Sequence, residues 1–119
     1  MQDIFVEDIG NGTPLVLVHG FLGSSDMWKL QIDSFKKDFR VIAPALPGFG
    51  KSQKIKSCDS IECMAKSILN SLEKKGIKKF NLLGHSMGGK IAMQVALNHA
   101  NRISKIVIAD ISPVNYESD

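Results

Sequence analysis

The segment Gly84-His85-Ser86-Met87-Gly88 has the pattern glycine, any residue, serine, any residue, glycine, and it lies between two apolar stretches. A serine becomes a nucleophile when a tight strand-to-helix turn strains its backbone and pushes its hydroxyl into the open. In such a turn the residues two before and two after the serine crowd each other, so both must be nearly without side chains. Gly84 and Gly88 meet that need, and Gly89 gives further room. The preceding "FNLL" reads as a strand and the following residues as an apolar helix, whose N-terminal dipole favours negative charge near Ser86. The bland alternative is a glycine-rich helix start with an incidental serine.

Acyl transfer also needs donors for an oxyanion. One is the backbone N–H of Met87, just after the nucleophile, and the loop opened by "LVLVHGFLGSS" offers a second at Phe21. Of the three histidines, His19 belongs to a strand terminus and is expected to brace the loop by hydrogen bonding. His85 points away from the nucleophile on a turn of this kind, and His99 lies at the far end of the helix. None of the three is a convincing general base.

A rival chemistry is offered by "ALPGFGKS", Ala45 to Ser52, which fits a loose phosphate-binding loop. That loop works only when the Ser after the Lys opens a helix whose N–H groups converge on phosphate. "QKIKSCDS" follows Ser52 without apolar periodicity, and Pro47 stiffens the middle of the supposed cradle. A nucleotide-binding P-loop protein is therefore a distant third reading, behind a glycine-rich turn at a strand end.

The elements that must position these residues alternate along the chain. "LVLVHG", "RVIAPA", "FNLLG" and "KIVIAD" are aliphatic runs of the kind buried on both faces of a parallel sheet. "DIFVEDI" is a further strand, followed by the turn Asn11-Gly12, which suits a hairpin. Helices are expected from about Asp26 to Lys37, then from a capping box at Asp59 and Glu62 to the stop at Gly76, and from about Met87 to Asn98. The last is apolar on most sides, which predicts burial rather than a surface position. This rhythm implies an α/β fold, a mostly parallel sheet with right-handed crossover helices.

The composition of the 119 residues is that of a soluble globular domain, with a net charge of +3. The lysines, including Lys74, Lys75, Lys78 and Lys79, read as a solvated surface rather than a nucleic-acid face, since few aromatics interleave with them. No apolar run is long enough to span a bilayer, and Met1 leads straight into strand-like sequence without a signal peptide. Cys58 and Cys63 read as two reduced thiols, with no set of partners for a structural zinc, and a cytoplasmic location follows. The sequence implies no cofactor and no metal, and it carries no signal for an oligomeric state.

"VLVHGF", "PGFGKS", "LGHSMGGKIAM" and "RISKIVIADISPV" come in the order and spacing of the α/β-hydrolase superfamily, which the chain resembles over essentially its whole length. The last two segments look most like those of small esterases and thioesterases. The resemblance implies that Ser86 is the nucleophile and that Gly84 and Gly88 are the glycines of its elbow. It also makes "PGFGKS" a rim loop with no phosphate to bind. The family's usual acid in the Asp-x-Pro-Gly-x-Gly-x-Ser loop is replaced by Ala45, a change expected to weaken the loop more than the chemistry. Some members place the orienting acid of the triad at the end of the fifth strand, which points to Asp110; the alternative is that Asp110 caps the turn with Ser112 and Pro113. The family's catalytic histidine and lid follow the last strand, so residues 1–119 are expected to be an incomplete hydrolase core. The expectation is a serine hydrolase of a small-molecule acyl ester or thioester, inactive as this chain alone. A non-catalytic binding protein of the same fold is the alternative.

Overall fold

The computed structural model describes residues 4–18, 29–44, 60–85 and 87–109. Five strands form one sheet: β1 (Val6–Ile9), β2 (Thr13–Val18), β3 (Phe39–Pro44), β4 (Phe80–His85) and β5 (Ile103–Ala109), in the spatial order β1-β3-β2-β4-β5. Strands β3, β2, β4 and β5 run parallel, and β1 adds an antiparallel edge to β3. Among the described residues, three helices connect them: α1 (Lys29–Phe35), α2 (Ile61–Lys74) and α3 (Met87–His99), with a short 3-10 helix at Ala100–Arg102 before β5.

The aliphatic runs fill two cores at once. Along β2, Val16 and Val18 join Ile42 of β3, Met64, Ile68 and Leu72 of α2, and Ile91 and Val95 of α3 in one cluster. The alternate residues Leu15 and Leu17 join Val41, Ala43 and Ile32 of α1 in the other. A strand with helices over both faces has no side to leave polar, which is why its residues read as a run and not as an alternation.

Four expectations need correction. The turn at Asn11-Gly12 does not close a hairpin, because β1 pairs with β3 and not with the next strand β2. The cap of α2 is Ser60 rather than Asp59: its backbone is extended and its hydroxyl accepts the Cys63 N–H at 3.0 Å. α3 is not buried all round, since Leu97 is 81% exposed and Met93 is also exposed. Cys63 is disulfide-bonded rather than a free thiol; Cys58, the chain's one other cysteine, lies outside the described residues.

Two polar latches tie the elements together. Asp8 of β1 accepts both Arg40 Nε (2.9 Å) and Arg40 Nη2 (2.7 Å), and also Lys75 Nζ at 3.1 Å, joining the edge strand to β3 and to the end of α2. The Arg40 hydrogen bonds, aided by Lys75, hold the Asp8 carboxyl at about 2, well below its ordinary value. Arg102 donates from Nε to the Lys78 carbonyl (3.2 Å) and from Nη2 to that of Ile77 (2.9 Å), over the ring of Phe80.

Candidate active site

β4 ends at His85 and α3 begins at Met87, so a single residue, Ser86, lies between strand and helix. Gly84, Gly88 and Gly89 are all buried at this junction. A Cβ built on Gly84 would stand 2.6 Å from the Gly88 carbonyl oxygen, 2.7 Å from the Gly89 Cα and 2.9 Å from the Ala92 Cβ. The two nearest of these are backbone atoms, which cannot swing aside. Strand and helix therefore approach so closely that position 84 admits glycine alone without a backbone shift. Ala92, one helical turn further on, takes part in this fit, and the glycine pattern gives no hint of it. The signal available in sequence was its spacing, four residues after Gly88 on the same helical face.

As the first residue of α3, Met87 carries a backbone N–H with no acceptor inside its own helix. Such a donor, at the positive end of the helix dipole, suits a developing oxyanion. The registers bring to the same edge the strand ends that precede the other candidates in sequence. Val18 of β2 lies opposite Gly84, Gly84 opposite Ile108, and His85 opposite Ala109, so the C-terminal ends of β2, β4 and β5 stand side by side. Phe21 follows Val18 by three residues, and Asp110 follows Ala109 directly. Ser86, Phe21, Asp110, His19 and Ala45 themselves lie outside the described residues, as does the segment 45–59 that holds the loose phosphate-loop pattern. The next described helix after that segment starts at Ile61, well beyond Ser52.

The two described histidines part company. His85 closes β4 at its junction with α3, partly buried, with its register partner on β5. His99 ends α3, about 18 Å of helix away from Met87, at the opposite edge of the sheet. Among the described residues no three His, Cys, Asp or Glu side chains gather as a metal site, and no helix is long and apolar enough to cross a membrane.

A family model described as the alpha/beta hydrolase fold matches residues 13–119. The chain is 38% identical over 95 residues to the dihydrolipoyllysine-residue acetyltransferase component of the acetoin cleaving system of Pseudomonas putida, covering 80% of this chain and 26% of that protein. It is 36% identical over 104 residues to the pimeloyl-[acyl-carrier protein] methyl ester esterase of Vibrio atlanticus (strain LGP32), covering 87% of this chain and 38% of the relative. Among solved structures, a marine microorganism esterase superposes with a TM-score of 0.88 at 31% identity, over 93% of this chain and 42% of that one. The chain thus spans less than half the length of these proteins.

Proposed function

The chain belongs to the α/β-hydrolase family, and from that premise we propose that the protein is a serine hydrolase of small carboxylic esters or thioesters. The observation that carries this reading is the one-residue junction between β4 and α3, with Gly84 pressed against the backbone of Gly88 and Gly89. A junction so tight leaves room for one residue between strand and helix, and in this sequence that residue is Ser86.

In the proposed reaction, Ser86 Oγ attacks the acyl carbon and gives its proton to a histidine base. The N–H groups of Met87 and Phe21 receive the negative charge that moves onto the carbonyl oxygen. Collapse of the tetrahedral intermediate breaks the bond to the alcohol or thiol, which leaves with the proton from the base. Water, deprotonated by the same base, then releases the acid and restores Ser86. Asp110, two residues past Ile108 in the row that contains Gly84, would orient the histidine. Neither described histidine suits that role, since His99 is at the opposite edge of the sheet and His85 belongs to the β4–α3 junction itself.

The test is hydrolysis of a p-nitrophenyl acyl ester by the gene's complete product, with and without Ser86→Ala. The expected result is a loss of roughly a thousandfold or more in kcat. An unchanged rate overturns the nucleophile. The position of His99 favours one second reading, a non-catalytic binding protein of this fold. It takes the lead if a fluorophosphonate probe fails to label Ser86 in the complete product.

A further inference from the structure

At the edge of the sheet opposite the elbow, a cavity of about 460 Å³ opens between the end of α2 and the starts of β4 and β5. Its lining includes Glu73, Gly76, Lys78, Lys79, Asn101 and Arg102. The volume falls within the range of small-molecule sites, roughly 300–1,000 Å³.

Lysines after a helix are commonly there to satisfy its last carbonyls. Lys78 and Lys79 are not needed for that. The Leu72 carbonyl accepts the Ile77 N–H at 3.0 Å, that of Glu73 accepts the Gly76 N–H at 3.0 Å, and those of Ile77 and Lys78 accept Arg102. Neither lysine pairs with a carboxylate among the described residues, whereas their neighbour Lys75 is held by Asp8. Asn101, on the facing 3-10 helix, is exposed and adds a neutral donor. Arg102 is fixed by its two carbonyl partners and the Phe80 ring, with 15% of its side chain exposed. The opposing carboxylate, Glu73, is 69% exposed and sits 3.5 Å from Arg102 Nη1, a loose contact that a stronger anion displaces.

Three cations around a cavity, one of them already immobilised, suit a ligand with several negative charges. We propose that this cavity binds a compact polyanion, a small molecule bearing two or more phosphate or carboxylate groups. β4 separates Phe80 at this edge from His85 at the other by about 17 Å, so a ligand here does not meet the reacting serine. The site is a second one, independent of the hydrolase reading.

The experiment is calorimetric titration of the chain at low ionic strength with pyrophosphate and, separately, with citrate. One saturating site with a Kd on the order of 0.1 mM for at least one probe is expected. Lys78→Ala/Lys79→Ala should weaken it by at least about tenfold, and Asn101→Asp, which leaves the lysines in place, should weaken it similarly. Lys36→Ala/Lys37→Ala, removing equal charge outside the cavity, should change it by no more than roughly twofold. Pyrophosphate bound in preference to citrate assigns the ligand as a phosphate compound, and the reverse as a polycarboxylate. Failure of both probes to saturate, or equal losses in the two double-lysine variants, overturns the proposal.

Discussion

Gly84 is the residue at which backbone geometry and proposed chemistry meet. Alanine there drives a methyl group into the Gly88 carbonyl at 2.6 Å, so either β4 or α3 must move. Gly84→Ala is expected to cost about 3 kcal/mol, the upper range for overpacking, measured by urea unfolding. Asp8 is a second residue whose effect has a definite sign. Its pKa is lowered from 3.8 to about 2 by Arg40 and Lys75, so folding favours the carboxylate. The resulting stabilisation is complete above pH 3.8 and fades as the pH falls towards 2. With the pair partly solvated, it amounts to at most about 2 kcal/mol. Asp8→Asn should therefore destabilise the chain near neutral pH and converge on the parent in acid, as followed by unfolding across a pH series.

The strands were legible because a stretch such as Leu15–Val18 has only one comfortable place, between two layers of helix. The need for glycine at position 84 was legible because the close approach of strand and helix leaves few residue choices. The partner of β1 was not, since the turn chemistry of Asn11-Gly12 is local while the choice between β2 and β3 is made across the sheet. Asp59 and Ser60 are adjacent residues with equal capping chemistry, and only the backbone of Ser60 decides between them. Ser60→Ala is expected to cost about 1 kcal/mol by thermal unfolding, while Asp59→Ala should leave this cap intact. The apolar pattern of α3 cannot say how much sheet lies beneath it. β5 pairs with β4 alone among the described strands, and Val107 on it is 56% exposed. Such an edge invites pairing with another chain. The 119-residue chain should self-associate in sedimentation velocity as concentration rises, and Val107→Lys should shift it towards monomer.

Across the whole molecule, the described residues hold the tight β4–α3 junction and the free N-terminal N–H of α3, but no histidine placed to serve the proposed nucleophile as a base. Assayed alone, the chain should turn over p-nitrophenyl esters several orders of magnitude more slowly than a complete triad, by roughly the margin that a missing base costs. Turnover at an ordinary esterase rate, abolished by Ser86→Ala, would return His85 or His19 to consideration. The oxidised Cys63 makes a separate prediction: in the unfolded, unreduced protein its thiol should resist alkylation, and a strong reductant should expose it. The sequence reading of two reduced thiols pointed the other way, because the spacing of two cysteines does not report redox state.

The two-sided burial of β2 has a consequence for assembly. In a half-buried strand, a shift of one residue puts polar groups inside, and water rejects the error. Along β2 the same shift exchanges Val16 and Val18 for Leu15 and Leu17, aliphatic for aliphatic, and solvation hardly objects. Only volume can then tell the right alignment from the wrong one. The tightest gauge of volume on β4 is Gly84, whose register partner is Val18. The glycine that lets β4 and α3 meet thus doubles as a proofreading mark for the central strands, and a chain that collapses out of step would be compact, apolar inside, and unable to close that junction.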